Sequence, residues 1–153
     1  RLEPGSLYVK ANQGQLEQVI MNLVINAQEA MPEGGKLTIE TETVTLNDDQ
    51  IRHIPGAYAG TFACLSIADT GVGMDEETAR HVFEPFFSTK QKGTGLGLPI
   101  ANSIVRQYAG WIEVRSKPWQ GSTFRICLPV FVGELESEAP GDPRLAFPAA
   151  ETS

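Results

Sequence analysis

The segment from Leu16 to Met31 constrains the fold of this 153-residue chain most strongly, because its apolar residues recur with a helical period. They fall at intervals of three and four residues along one face: Leu16, Val19, Ile20, Leu23, Val24, Ala27 and Met31. The spacing predicts an amphipathic helix of about 17 residues, with Asn12 as its N-cap and the sequence PEGG as its end. A helix that is apolar on one face requires another layer of structure on which to pack.

Alternating apolar and polar residues predict that this layer is a β-sheet. Strands are predicted over residues 7–11, 36–46, 61–68, 111–116 and 122–130, the last two forming a hairpin. Two further helices are predicted, a short one over about residues 76–82 and one that starts at Pro99 and runs to about residue 108. This order predicts an α/β fold, a two-layer α/β sandwich in which about three helices cover one face of a mixed or antiparallel sheet.

The composition is typical of one globular domain, with 41% apolar and 20% charged residues. Residues 1–132 are predicted to form that domain, and the acidic, proline-containing residues 133–153 a disordered tail or linker. Cys64 and Cys127 fall inside predicted strands, which indicates small core residues rather than a disulfide.

The charge pattern and the hydropathy exclude two classes of partner. The net charge is −7 and no basic stripe is present, so general binding of nucleic acid is not expected. No apolar run approaches the roughly 18 residues that span a membrane, and no signal-peptide pattern begins the chain. We therefore expect this piece to be cytoplasmic and without membrane contact, whereas a longer parent protein could be membrane-anchored elsewhere.

Two asparagines, Asn22 and Asn26, interrupt the edge of the apolar stripe. They are four residues apart and therefore share one face of the predicted helix. An amide beside a core costs free energy unless its donors and acceptors find partners. A solvated pair at the edge of the helix and a ligand site explain the pair equally well from this helix alone.

A first glycine-rich segment, DTGVGM, follows the strand predicted over residues 61–68. Asp69 ends the strand, and Gly71 and Gly73 would allow a flat ligand to approach the backbone closely. A carboxylate in this position can accept a hydrogen bond from an amino group such as the exocyclic amine of adenine. Taken alone, the segment favours a strand-to-loop turn that Asp69 caps over a ligand site.

A second glycine-rich segment, GTGLGL, covers residues 93–98 and opens the helix predicted from Pro99. Backbone amides at the start of a helix bind phosphate groups. The segment is neither a Walker P-loop nor a dinucleotide fingerprint, which need other spacings and contexts. Thr89, Lys90 and Lys92 precede it, and the ammonium groups of the two lysines would neutralise charge on a polyphosphate.

Five motifs together resemble the N, G1, F, G2 and GT boxes of histidine-kinase catalytic domains, which belong to the GHKL ATPase superfamily. They are QVIMNLVINAQEAM, DTGVGM, FEPFFSTK, GTGLGL and GSTF, in the family's order. The resemblance implies an ATP-binding α/β sandwich with a flexible lid between the F and G2 boxes. It also implies Mg²⁺ as a cofactor beside ATP.

The resemblance assigns roles to individual residues. Asn26 would ligate the Mg²⁺ that bridges the ATP phosphates, Asn22 would assist the metal or its waters, and Asp69 would accept from the adenine amine. Phe83, Phe86 and Phe87 would anchor the lid in an apolar pocket, with core packing an equal alternative for Phe83. The full set of nucleotide-binding residues implied is Asn22, Asn26, Ala30, Asp69, Gly71, Gly73, Met74, Phe87, Thr89, Lys90, Gly93, Thr94, Gly95, Leu96, Gly97, Leu98 and Thr123, the last lying near a water network on the adenine side.

The residue type at position 22 distinguishes two branches of the superfamily. Hydrolases such as DNA gyrase and the mismatch-repair ATPases carry a glutamate one turn before the metal-binding asparagine, where it activates water. A carboxamide cannot act as a base near neutral pH, so Asn22 favours phosphoryl transfer over hydrolysis. Asn22, Asn26 and Lys90 are accordingly the expected catalytic residues.

Two positions depart from the commonest kinase pattern. Glu29 and Ala30 stand where many members carry a basic residue and an aromatic residue. The sequences NAQEAM and FFSTK instead resemble the nitrogen-regulator type of sensor kinase, in which a lysine of the F box takes the charge role. We expect Lys90 to take it here.

The phosphoacceptor is expected outside this chain. His53 and His81 lack the helical context and the following acid of an acceptor histidine, which predicts ordinary surface residues. The implied partners are therefore the protein's own dimerisation and phosphoacceptor hairpin and, indirectly, a response regulator. The chain alone should hold ATP without phosphorylating itself. The alternatives are an anti-sigma-factor serine kinase and a non-catalytic nucleotide-binding regulatory module.

Overall fold

A computed structural model describes residues 7–87, 96–131 and 144–147 of the chain. The elements within these ranges are β1 (Leu7–Lys10), α1 (Gln13–Glu29), β2 (Leu37–Leu46), β3 (Gly60–Asp69), α2 (Glu76–His81), α3 (Gly97–Gln107), β4 (Trp111–Ser116), β5 (Ser122–Phe131) and β6 (Arg144–Phe147). The predicted two-layer α/β architecture is confirmed, with helices packed on one face of the sheet.

The strands form one sheet in the order β2-β3-β5-β1-β6, with β4 also paired to β5. Strand β4 lies along the first part of β5, and β1 continues the same edge at Val130 and Phe131. Every described pair of strands is antiparallel. For these strands the predicted antiparallel sheet is therefore confirmed, and the predicted mixed sheet is wrong. The connection through α1 leads from β1 to β2, which run in opposite directions, so it adds no parallel pair to the sheet.

The main core lies between the helices and the sheet and confirms the predicted apolar stripe. Helix α1 buries Leu16, Val19, Leu23 and Ala27. Helix α3 adds Leu98, Ala101, Ile104 and Val105, and the facing strand residues include Leu65, Ile67, Phe124, Ile126 and Leu128. Because each large apolar side chain contributes roughly 1.5–3 kcal/mol on burial, this interface holds the two helices in place.

The opposite face of the sheet carries a second, smaller core, which the sequence analysis did not foresee. It consists of Phe62, Cys64, Trp111 and Cys127, with Ile54 and Ala57 of the loop after β2 packed against it. The hydroxyl of Tyr58, in the same loop, donates to the carbonyl of Ala109 over 2.8 Å. The two cysteines are free and buried, as predicted.

Two differences from the predicted elements exceed a single residue. Helix α3 begins at Gly97 rather than at Pro99, because proline is tolerated anywhere in a first turn whose N–H groups need no intrahelical acceptor. Residues 133–153 are predicted to form a disordered tail or linker, whereas Arg144–Phe147 within them form β6 against β1. The sequence RLAF is not predicted as a strand, because it is short and the segment around it is acidic. The domain boundary at residue 132 stays a prediction.

Candidate functional site

Helix α1 contacts both glycine-rich segments and so forms one wall of the site. Near its end, the carbonyl of Ala30 accepts a 3.0 Å hydrogen bond from the N–H of Val72. Two turns earlier, Nδ2 of Asn22 donates to the carbonyl of Gly97 over 3.0 Å. Asn26 is partly exposed between them, about 6 Å along the helix axis from each. The structure thus brings Asn22 and the end of α1 against the two segments, with Asn26 on the helix between these contacts.

The hydrogen bond of Asn22 gives this residue a structural function. Its amide nitrogen attaches α1 to the first residue of α3, which fixes where the second glycine-rich segment meets the helix. A carboxylate at this position could not donate, and its charge would oppose the carbonyl oxygen. The amide is therefore required by the packing as well as compatible with a ligand.

Asp69 is a buried carboxylate, only 6% exposed, at the end of β3. Its Oδ1 accepts hydrogen bonds from the N–H of Gly71 at 2.8 Å and from the N–H of Ser122 at 3.3 Å. Oδ2 takes part in neither bond. The backbone thus orients the carboxylate through one oxygen, and the other oxygen can accept a hydrogen bond from a ligand.

The two glycines of DTGVGM are required by the protein itself. A Cβ on Gly71 would lie 2.2 Å from the carbonyl oxygen of Ala30. Gly73 has φ +68, and a Cβ there would lie 1.9 Å from the carbonyl oxygen of Lys117. The sequence predicts both glycines for the approach of a ligand, whereas the structure supplies a reason in the packing of the loop.

Gly97 differs from these two glycines. No described atom lies within 4 Å of a Cβ built on it, and its φ is not positive. Within the described part of the chain, neither packing nor backbone strain requires glycine at this position. A small residue here leaves space next to Asn22 and to the start of α3.

The start of α3 provides backbone N–H groups for an anion. Leu96 precedes the helix as its N-cap without a side-chain capping bond. The N–H groups of Gly97 and Leu98 lie in the first turn, where helix geometry gives them no intrahelical acceptor, and Pro99 has no N–H. The side chain of Leu98 is buried in the main core, so only its backbone can serve the site.

The assignment of the GSTF motif to Thr123 does not agree with the strand geometry. Thr123 alternates with Phe124, which is buried under the helices, and so belongs to the face that carries Cys127. Ser122 is paired with Asp69 in the register of β3 and β5 and donates to it. Strand alternation back from Phe124 would have selected Ser122, but the sequence alone did not show which face meets the site.

The phenylalanines of the FEPFFSTK motif separate into different environments. Phe83 packs on Phe124 in the core, with ring centroids 6.4 Å apart. Phe86 is 76% exposed, so it does not lie in the expected apolar pocket. Phe87 is partly buried, with its ring 5.7 Å from that of His81. The predicted site residues Thr89, Lys90, Gly93, Thr94 and Gly95 lie outside the described residues.

The remaining predicted positions have defined places. Met74 packs against the main core through its side chain, and its N–H donates to Oγ of Ser116 over 2.8 Å. His53 is exposed, and Nδ1 of His81 contacts Oε2 of Glu84 at 2.5 Å, which agrees with surface roles for both histidines. No described helix is both long and apolar enough to span a membrane.

Comparison with known proteins gives a consistent result. Residues 11–131 match the family described as histidine kinase-, DNA gyrase B- and HSP90-like ATPases. The sensor kinase CckA of Brucella abortus is 39% identical over 132 residues, which cover 85% of this chain and 14% of that protein. Sporulation kinase C of Bacillus subtilis is 36% identical over 128 residues, which cover 84% of this chain and 26% of that protein. The chain thus spans about a quarter or less of these relatives.

A solved structure extends the likeness to the fold. The catalytic domain of the histidine kinase ThkA superposes with a TM-score of 0.61 at 33% identity, covering 79% of this chain and 70% of that one.

Proposed function

The chain belongs to the family of histidine kinase-, DNA gyrase B- and HSP90-like ATPases, and on this basis we propose that it is the ATP-binding catalytic domain of a two-component sensor histidine kinase. It transfers the γ-phosphoryl group of ATP to a histidine on a separate dimerisation domain. The observation that carries the proposal is that α1 contacts both glycine-rich segments through Ala30 and Asn22, with Asn26 between them. Relatives named as sensor kinases support it, and no observation favours the serine-kinase or regulatory alternatives.

Asp69 is the residue that binds the adenine. Oδ2 of its carboxylate accepts a hydrogen bond from the exocyclic amine, while Oδ1 stays bound to the N–H groups of Gly71 and Ser122. Because the carboxylate is buried and already oriented, it discriminates a base with an amine from a base with a carbonyl at the same position.

The start of α3 binds the phosphates. The N–H groups of Gly97 and Leu98 and the positive end of the helix dipole attract the negative charge. The amide oxygen of Asn26 suits Mg²⁺, which prefers oxygen ligands and keeps several waters beside few protein groups. When bound, Mg²⁺ neutralises charge on the polyphosphate, and Lys90, outside the described residues, adds a second cation.

Transfer to a protein side chain is favoured over hydrolysis by Asn22. Its Nδ2 donates to the carbonyl of Gly97, and a carboxamide is too weak a base near neutral pH to activate water. The protein therefore contributes positioning and charge neutralisation, which dominate phosphoryl transfer. The proposed partners are the phosphoacceptor hairpin of the parent protein and, indirectly, a response regulator. The proposal puts the reaction in the cytoplasm, where ATP is present.

A phosphotransfer assay tests the kinase proposal. With γ-labelled ATP and Mg²⁺, the chain alone should acquire no label, and the parent's phosphoacceptor hairpin should acquire acid-labile phosphate only when the chain is added. The matched control is a hairpin whose acceptor histidine is replaced by alanine. Label on the chain itself, or hydrolysis of ATP at the same rate without the hairpin, would contradict the proposal.

Calorimetry tests the role of Asn26. Mg²⁺ is expected to increase the affinity of the wild-type chain for ATP. We expect this increase to be smaller by about 10-fold or more in Asn26→Ala, because a ligand oxygen is removed. Asn26→Asp keeps an oxygen and should retain Mg²⁺-dependent binding. Gln28→Ala, at an exposed position of the same helix, is the control. An unchanged Mg²⁺ effect in Asn26→Ala would remove this residue from the metal site.

A further inference from the structure

The turn between β4 and β5, residues 117–121, packs directly against the loop that follows Asp69. The N–H of Trp119 donates to the carbonyl of Val72. A Cβ on Gly73 would lie 1.9 Å from the carbonyl oxygen of Lys117, and a Cβ on Gly121 would lie 2.1 Å from the carbonyl oxygen of Asp69. The two backbones are therefore in contact along their length, so the conformation of one constrains the other.

The hydroxyl of Ser116 lies at the junction of these two segments. Its Oγ accepts from the N–H of Met74 at 2.8 Å and donates to the carbonyl of Gly121 at 3.0 Å. Its distance to Oγ of Ser122 is 2.7 Å. A hydroxyl has one donor and two acceptor positions. When the Ser116 hydroxyl donates its hydrogen bond to the carbonyl of Gly121, its oxygen accepts from the N–H of Met74 and from the hydroxyl of Ser122. All three hydrogen-bonding positions of the hydroxyl are then used.

The network of Ser116 reaches both ends of the loop. Ser122, which hydrogen bonds to Ser116, donates its N–H to Oδ1 of Asp69, where the loop begins. Met74, where the loop ends, donates its N–H directly to Ser116. The carboxylate assigned to the adenine and the far end of its loop are thus fixed to the same hydroxyl. None of the motifs in the sequence includes Ser116.

We propose that Ser116 is a positioning residue for the nucleotide base. It holds the loop from Asp69 to Met74 in the conformation that binds adenine, and it acts through Met74 and Ser122 rather than by touching the ligand. The inference rests on the proposed function, because it assumes that Asp69 binds a base. Without the hydroxyl, the Met74 N–H and the Gly121 carbonyl lose a partner, and the loop must be ordered when the ligand binds.

The test compares ATP with inorganic tripolyphosphate, which lacks the base. In Ser116→Ala, ATP affinity should fall about 10-fold while tripolyphosphate affinity stays unchanged, because α3 and α1 are not altered. Ser116→Thr keeps the hydroxyl on a strand, where β-branched residues fit, and should restore ATP binding. Ser103→Ala, an exposed serine on α3, is the control.

Each outcome decides the inference. The inference is overturned if Ser116→Ala binds ATP as tightly as the wild type, or if it loses affinity equally for ATP and tripolyphosphate. Failure of Ser116→Thr to restore ATP binding would also overturn it. A wild-type chain that binds neither ligand would overturn the proposed function instead. If Ser116→Ala does not fold, hydrogen exchange on the wild type decides: slower exchange of the Met74 amide with ATP than with tripolyphosphate supports the inference, and equal exchange overturns it.

Discussion

Asp69→Asn is expected to lower the affinity for ATP by roughly 10- to 100-fold while leaving the fold intact. The amide oxygen can take the place of Oδ1 and keep the hydrogen bonds from the N–H groups of Gly71 and Ser122. The amide nitrogen then replaces Oδ2, and an acceptor becomes a donor at this one atom. A hydrogen bond to a charged group contributes about 1.5–3 kcal/mol, which sets the size of the effect.

The same replacement should change the preference between bases. Inosine triphosphate carries a carbonyl where ATP carries the amine, so it can accept from the new amide nitrogen. We expect the ratio of ATP to inosine triphosphate affinity, measured by calorimetry, to fall sharply in Asp69→Asn. Asp75→Asn is the control, because Asp75 is an exposed helix cap whose pKa is lowered by hydrogen bonds from Thr78. An unchanged ratio would show that Asp69 does not bind the base.

Gly73→Ala is expected to lower the free energy of unfolding by about 2–4 kcal/mol. The left-handed backbone at φ +68 costs a non-glycine residue roughly 1–2 kcal/mol, and the new Cβ would lie 1.9 Å from the carbonyl oxygen of Lys117. The loop after β3 or the turn at Lys117 must therefore move. Urea denaturation followed by circular dichroism measures the change.

Gly97→Ala is the matched control for this prediction. With no described atom within 4 Å of its Cβ and no positive φ, the change in unfolding free energy should stay within about 1 kcal/mol. ATP affinity should nevertheless fall, because the methyl group occupies space at the proposed phosphate site. Equal loss of stability in the two variants would contradict the packing reason given for Gly73.

Much of the fold could be predicted from local patterns. The apolar period from Leu16 to Met31 located α1, and alternation located β4 and β5, because burial of one face imposes the period of each element. The errors came from contacts between distant segments. Strand β6 pairs with β1 at the other end of the chain, and its four residues carry too little pattern to stand out from an acidic tail.

The sequence by itself determined most of the secondary structure, the family and the polar groups proposed for the site, because period and residue type are local properties. Only the tertiary structure decided that Ser122 rather than Thr123 lies beside Asp69, since this depends on the face that β5 turns toward the helices. It also decided that Gly71 is required by Ala30, and it placed Ser116 between two loops. These contacts join groups far apart in the chain, and no residue type or spacing encodes them separately.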